Sequence, residues 1–231
     1  MPTPLPRLLQ SLENAARLAG RPSPRLLAVS KFQSATAVAE LVAQWRRERP
    51  GEVPAMGENY VQEAMAKQAE LADAGIEWHL IGHLQSNKAA QAARHFNWVQ
   101  TVDRPKLLHA LAEARDPGAP PLNVLLQVDI DGEPGKHGAR PEDVPALADE
   151  AASLPRLALR GLMAIPAPFP DMARRRDSFR RMRALFETLR ERHPECDTLS
   201  MGMSGDAELA IAEGATMVRI GTALFGSRTP R

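Results

Sequence analysis

Short apolar runs typical of β-strands alternate regularly with longer stretches of helical periodicity, and this alternation limits the possible folds more than any other feature. The apolar runs predict eight strands, at residues 26–30, 53–56, 77–81, 98–101, 124–128, 157–163, 198–200 and 216–220. Nearly every position in these runs is apolar, as expected for strands covered on both faces. The pattern therefore predicts βα units that form a parallel sheet.

Helical stretches separate the predicted strands, and another precedes the first strand. They are predicted at residues 5–19, 35–47, 60–74, 87–95, 105–114, 141–153, 171–192 and 206–213. Eight βα units favour an α/β fold, a (β/α)8 TIM-type barrel with an extra N-terminal helix, and an open doubly wound sheet is the alternative. Because no repeat or flexible linker divides the 231 residues, we expect a single domain over 1–231.

Composition argues against several classes of partner. The 29 basic residues nearly balance the 28 acidic ones, so no overall field attracts nucleic acid or an anionic membrane. The sequence contains no apolar run of roughly 18 residues and no secretory signal. Cys196 is the single cysteine, which excludes an intramolecular disulfide and fits a reducing compartment. We therefore expect a soluble cytoplasmic protein that binds neither nucleic acid nor membranes.

Lys31 directly follows the first predicted strand, and the active site of a parallel barrel lies at this end of the strands. Partial burial there favours the neutral amine, which is the form that attacks an aldehyde. The alternative is a lysine whose ammonium simply reaches solvent. Segments 57–60, 82–87, 201–205 and 221–222 follow other strands and are expected at the same rim.

The loops after the last two strands carry residues suited to a phosphate group. Gly202, Gly205 and Gly221 permit close approach of the backbone, and Ser204 and Thr222 add hydroxyl groups. Barrels frequently bind phosphate in these two loops, although the same residues also suit ordinary turns. Arg219 lies within the last apolar run, so a buried partner is expected, either a carboxylate or the ring nitrogen of a pyridine cofactor.

Two other patterns are expected to carry no site. His79 and His83 are four residues apart, but a strand end lies between them, so we expect no shared helical face and no metal site. The arginine-rich stretch 174–183 also has an apolar stripe, which favours a solvated outer helix over a nucleic-acid surface.

Taken together, the motifs resemble the pyridoxal phosphate homeostasis protein family, which is similar to the N-terminal barrel domain of alanine racemases. The matching segments are LAVSK (27–31), GENYVQE (57–63), WHLIGHLQSNK (78–88), GLM (161–163), LSMGMS (199–204) and MVRIGTALFG (217–226). The resemblance implies the fold-type III barrel of pyridoxal 5'-phosphate (PLP) proteins without a C-terminal β domain. It also implies a PLP-binding role in vitamin B6 homeostasis without known catalytic turnover.

The resemblance assigns roles to individual residues. Lys31 would carry PLP as a Schiff base, Arg219 would face the pyridine nitrogen, and Asn59 would lie beside the ring. Ser204, Gly221 and Thr222 would hold the phosphate. The segment Phe32-Gln33-Ser34 and Gly205 depart from the family pattern and bear on affinity and exchange rate. Lys136 lies in a loop similar to the family's lysine-containing loop, which suggests a secondary or transfer role.

The alternative function is a PLP-dependent amino-acid racemase, which needs a second base on the opposite face of the cofactor. In alanine racemases a tyrosine from a C-terminal β domain provides this base. The sequence ends at Arg231 and has one tyrosine, Tyr60, so the racemase hypothesis lacks this base unless one-base chemistry or His83 replaces it. We expect no catalytic residue, PLP-requiring apoenzymes as possible partners, and a monomer, because a closed barrel has no sheet edges.

Overall fold

The computed structural model describes residues 4–133 and 135–226. Within these residues the chain forms a closed barrel of eight parallel strands in sequence order. The strands are β1 Arg25–Val29, β2 Ala55–Glu58, β3 Glu77–Leu80, β4 Trp98–Val102, β5 Leu122–Val128, β6 Leu157–Ala164, β7 Thr198–Met203 and β8 Met217–Ile220. Strand β1 pairs with both β2 and β8, with Leu27 opposite Arg219, and this pairing closes the barrel.

Helices connect successive strands and cover the outside of the barrel. In the described residues these are α1 Pro4–Leu18, α2 Ala35–Glu48, α3 Val61–Glu70, α4 Ala89–His95, α5 Pro105–Ala114, α6 Val144–Ser153, α7 Met172–Arg192, α8 Ala207–Ala212 and α9 Thr222–Phe225. Ser34 and Asp171 cap α2 and α7 by accepting hydrogen bonds from backbone N–H groups, and Pro105 occupies the first turn of α5. The predicted barrel with its extra N-terminal helix is confirmed.

The predicted strand boundaries differ most from the observed ones at β2 and β7. Strand β2 begins at Ala55, not at position 53, because Pro54 has no N–H to donate to the sheet, and Val53 is exposed. Gly57 and Glu58 therefore lie inside the strand. Strand β7 continues to Met203, three residues beyond its predicted end, because glycine at position 202 tolerates its φ of 90°. The four-residue helix α9 was not predicted.

The main apolar core lies between the barrel and its helices, where residues such as Trp45, Phe96 and Phe179 are buried. The barrel interior holds two smaller apolar clusters, Leu27, Ala55, Ile81 and Met217 on one side and Trp98, Leu125 and Met163 on the other. Polar side chains occupy the remaining interior space, and they lead towards the end of the barrel where the strands terminate. None of the described helices is both long enough and apolar enough to cross a membrane.

Candidate functional site

A pocket of about 280 Å³ opens at the C-terminal ends of the strands. Its walls come from both ends of the sequence, because β1 and β8 are neighbours in the closed barrel. All six residues implicated by the sequence line it, namely Lys31, Asn59, Ser204, Arg219, Gly221 and Thr222. Val29, Ile81, Ile165 and Met203 provide apolar wall, and Gln33, Gly205 and Gly226 complete the lining. The pocket thus joins two cationic side chains, several hydroxyl and amide groups, and an apolar surface.

Lys31 lies on a backbone segment that is held on both sides. The preceding residue, Ser30, is fully buried, and its hydroxyl donates to Glu58 Oε1 at 2.6 Å. The backbone N–H of the following residue, Phe32, donates to Glu63 Oε1. Phe32 has a φ of 64°, in the left-handed region that costs a non-glycine residue about 1–3 kcal/mol. The carboxylates therefore hold the segment that follows Lys31 in a conformation that the isolated backbone would not favour at Phe32.

Lys67 connects the groups on either side of Lys31. Its buried Nζ donates to the main-chain oxygen of Ser30 at 2.7 Å, to Glu58 at 2.7 Å and to Glu63 at 2.8 Å. Burial raises the pKa of Glu58, and the hydrogen bonds from Lys67 and Ser30 oppose this rise. The other carboxylate oxygen of Glu58 is buried and has no hydrogen-bond partner in the described part of the chain. Lys67 was not predicted as a site residue, although its i,i+4 spacing from Glu63 indicated an ion pair on one helix.

Arg219 is 3% exposed and reaches the pocket from β8. Its Nη1 donates to the main-chain oxygen and the hydroxyl of Ser200, both at 2.8 Å, and Nη2 donates to the main-chain oxygen of Ala164 at 2.7 Å. Burial lowers its pKa to about 10, with Asp206 acting in the opposite direction, so the guanidinium stays charged at neutral pH. The side-chain partner is thus a serine hydroxyl rather than the carboxylate considered from the sequence.

A chain of hydrogen bonds runs from Arg219 through the barrel interior to the opposite end. The Ser200 hydroxyl accepts from Arg219 and donates to Gln100 Oε1 at 2.8 Å. The amide of Gln100 contacts His79 Nδ1 at 2.9 Å, and His79 Nε2 contacts Glu77 Oε1 at 2.5 Å. With the amide as donor, His79 is a neutral ring that donates to Glu77. Burial lowers the pKa of His79, in agreement with this state.

Glycines shape the pocket at two close approaches. A Cβ atom on Gly82 would lie 2.2 Å from the main-chain oxygen of Asn59, so only glycine lets this loop pack against Asn59. A Cβ atom on Gly221 would lie 3.2 Å from the main-chain oxygen of Val29, a contact with little spare room. The Asp206 carboxylate accepts from the Met203 N–H at 2.7 Å and closes the turn that contains Ser204 and Gly205. These contacts fix the backbone at Asn59, at Val29 two residues before Lys31, and in the loops after β7 and β8.

Other sequence candidates lie outside the pocket lining formed by the described residues. Tyr60 is 53% exposed, and its ring lies 5.8 Å from that of Phe32. Lys136 is exposed, forms an ion pair with Glu133, and lies 3.4 Å from the main-chain oxygen of Ile165 at the pocket wall. His83 is exposed and stacks on a second histidine. Lys136 is therefore a rim residue, and Tyr60 is not positioned as a second base.

The arginines of α7 are engaged mainly with nearby carboxylates. Arg176 and Arg180 both pair with Glu213, and Arg181 pairs with Asp131 and Asp177. On the opposite face of the helix, Phe179, Met182, Phe186 and Leu189 are buried. This arrangement is that of a solvated outer helix.

The sequence matches the family model "Alanine racemase, N-terminal domain" over residues 5–229. This match agrees with the barrel fold and with the position of the pocket, and it defines the class of protein. Alanine racemase from Corynebacterium glutamicum, at 20% identity and a TM-score of 0.62, shares the fold over 94% of this chain and 60% of the racemase. The Pseudomonas aeruginosa pyridoxal phosphate homeostasis protein is 52% identical over 219 residues, which cover 94% of this chain and 91% of that protein. The chain therefore belongs to the pyridoxal phosphate homeostasis protein family within this class.

One solved structure that is similar to this chain contains a bound ligand. PipY from Synechococcus elongatus was solved with PLP bound and is 40% identical to this chain. The two structures align with a TM-score of 0.78 over 92% of this chain and 99% of PipY.

Proposed function

We propose that this protein binds PLP covalently through Lys31 and acts in intracellular PLP homeostasis without turning over an amino acid. The observation that carries the proposal is that one pocket brings together Lys31, Arg219 and the hydroxyl groups of Ser204 and Thr222. Support also comes from the name of the Pseudomonas aeruginosa relative and from PipY, whose structure contains PLP.

The chemistry of the pocket fits each part of PLP. Lys31 offers an amine for the aldehyde, and Val29, Ile81 and Ile165 offer apolar contact for the ring. Ser204, Gly221 and Thr222 offer hydroxyl and amide donors for a phosphate. Asn59, fixed by its contact with Gly82, would lie beside the ring. These residues form our proposed cofactor site.

Bound PLP supplies an electron-withdrawing ring conjugated to the carbon that carries the lysine. Arg219 limits this property, because a guanidinium keeps its protons and can only donate to a ring nitrogen. The serine hydroxyl and the two carbonyl groups that hold Arg219 keep the side chain in place. An unprotonated pyridine is a weaker electron sink, so it stabilises a carbanion on an amino acid less than a protonated ring does.

The racemase alternative lacks its second base among the described residues of the pocket, where neither Tyr60 nor His83 contributes to the lining. The C. glutamicum racemase is also far less similar, at 20% identity, than the homeostasis protein at 52%. We further propose that the protein is a cytoplasmic monomer and that PLP-requiring apoenzymes receive its cofactor, with Lys136 at the rim as a transfer residue.

Activity measurements separate the two functions. PLP-loaded protein is incubated with L-alanine, and the D-isomer is quantified by chiral chromatography, with heat-killed protein as the control. We expect no racemisation above this control, and recovery of activity when the same loaded protein is mixed with a PLP-free acceptor enzyme. Stereospecific racemisation that is absent in Lys31→Ala would overturn the homeostasis proposal in favour of an enzyme.

A further inference from the structure

Three consecutive loops at the mouth of the barrel bring His83, Asp103 and His137 together. His83 follows β3, Asp103 follows β4, and His137 lies in the loop after β5. One potential ligand atom from each side chain lies within 4.8 Å of the other two. We propose that these three residues form a binding site for a divalent transition-metal ion, with zinc as the representative case.

The donor set selects the kind of metal. Two imidazole nitrogens and one carboxylate suit zinc, nickel or copper, whereas magnesium and calcium prefer sites made of oxygen ligands alone. The rings of His83 and His137 are stacked, with centroids 3.4 Å apart and an angle of 11° between the planes. Two imidazolium rings would repel each other at this separation, so the stack disfavours the state in which both rings are charged. Neutral imidazole is also the form that binds a metal.

The charges around His83 agree with a neutral ring. Burial lowers the pKa of His83, and the nearby His137 lowers it further. Arg104 acts in the same direction, and only Asp103 opposes it.

Neighbouring residues hold the backbone at both histidines and the carboxylate of Asp103 in place. Gln127 donates to the main-chain oxygen of His137 at 2.8 Å. The main-chain oxygen of Gly82, directly before His83, accepts from the Thr101 hydroxyl at 2.9 Å. Asp103 Oδ1 accepts from Arg104, which orients the carboxylate in the way that an outer hydrogen bond orients a metal ligand. The positive charge of Arg104 also weakens binding, which makes an intermediate affinity the expectation.

Metal binding requires a small movement of the histidine rings. Zinc–nitrogen bonds of roughly 2.0–2.1 Å in a tetrahedral site place the two nitrogens about 3.4 Å apart, with each bond close to its ring plane. Parallel rings do not aim both lone pairs at one point, so the rings must rotate apart. Both histidines are exposed and have room to do so. Three protein ligands leave the fourth zinc position to water or a small anion.

This site differs from the pairing considered in the sequence. Both nitrogens of His79 are engaged inside the barrel, by Glu77 and Gln100, so His79 does not join His83. The new partners come from loops distant in sequence, which no short motif indicates. None of the three ligands belongs to the pocket lining among the described residues, so the inference does not depend on the PLP proposal.

Calorimetric titration of untagged, PLP-free protein with zinc chloride tests the site, and magnesium chloride serves as the comparison metal. His83→Ala and His137→Ala are compared with His109→Ala, which removes an exposed histidine paired with Glu150 elsewhere on the surface. We expect one zinc per chain in the wild type and in His109→Ala, no magnesium binding, and at least about tenfold weaker zinc binding in the other two variants.

Far-UV circular dichroism confirms that each variant is folded. Absence of zinc binding in the wild type would overturn the proposal, as would equal binding by all folded variants. Asp103→Asn adds a further check, because the amide has the size of the carboxylate without its charge, and unchanged zinc affinity in this variant would exclude Asp103 as a ligand.

Discussion

The ammonium group of Lys67 lies 2.7 Å from the main-chain oxygen of Ser30, the residue directly before Lys31. The same group binds Glu58 and Glu63, whose carboxylates hold the Ser30 hydroxyl and the Phe32 N–H. One buried cation thus ties down the backbone on both sides of the proposed PLP lysine. This network therefore helps to position Lys31.

Replacement of Lys67 by methionine should therefore be strongly destabilising. The variant leaves Glu58 buried without its charge partner, and the loss of one member of a buried ion pair costs about 3–5 kcal/mol. Urea unfolding followed by tryptophan fluorescence measures the change. The double variant Lys67→Met with Glu58→Gln removes the buried charge, so it should recover part of the lost stability. A single variant as stable as the wild type would contradict this role.

The hydrogen-bond chain behind Arg219 leads to a second prediction. Gln100→Leu removes the link between Ser200 and His79, so the guanidinium of Arg219 should be held less firmly beside the PLP ring. We expect a shifted absorption maximum for the PLP-loaded variant and faster loss of PLP on dialysis. Gln10→Leu, an exposed change on α1, is the matched control. Identical spectra and dialysis rates for the wild type and both variants would show that the chain has no influence on the cofactor.

The contact of Gly82 with Asn59 leads to a third prediction. An added methyl group would lie 2.2 Å from the main-chain oxygen of Asn59, so Gly82→Ala must displace the loop after β3 or the loop after β2. We expect a lower Tm and weaker PLP binding. Gly118→Ala is the comparison, because its methyl group would meet only the Asp116 side chain at 3.5 Å. If both variants bind PLP as the wild type does, the close approach does not shape the site.

The contact between Glu77 and the buried His79 predicts how the free energy of unfolding depends on pH. Burial alone would raise the pKa of Glu77, but the hydrogen bond with His79, the charge that His79 carries when protonated, and the charge of Arg25 lower it from 4.5 to about 2. An acid with a depressed folded-state pKa stabilises the fold above its unfolded value, and this contribution is lost as the pH falls from about 4.5 towards about 2. Glu77→Gln should be less stable at neutral pH and lose less stability across this interval. Parallel losses in urea unfolding at pH 4.5 and pH 3 would contradict the assignment.

Much of the fold and of the pocket could be predicted because both follow from local pattern. Apolar runs separated by helical periodicity specify a parallel barrel, and the C-terminal ends of parallel strands meet at one rim. This rule predicted that Lys31 and Thr222 lie close together, although 190 residues lie between them in the sequence. The boundary at Pro54 was mispredicted because Val53 is apolar, although proline has no N–H to donate to a sheet.

The polar networks behind the pocket could not be predicted in the same way. Lys67 has the appearance of a surface lysine on an amphipathic helix, and its burial becomes evident only when α3 packs against the barrel. Gln100 and Ser200 lie in separate strands, and their hydrogen bond spans 100 positions. Polar residues inside apolar runs were nevertheless visible, as Arg219 was, and each of them had to find a buried partner.

Borohydride reduction followed by peptide mass spectrometry shows whether PLP is attached covalently to Lys31. The protein is loaded with PLP, its visible absorption is recorded, and the complex is reduced and digested, with Lys31→Ala treated in parallel. We expect a visible band in the wild type and one reduced pyridoxyl adduct on the peptide that contains Lys31. The variant should show neither. A wild type without the band, or an adduct on another lysine that persists in Lys31→Ala, would show that Lys31 is not the residue that binds PLP covalently.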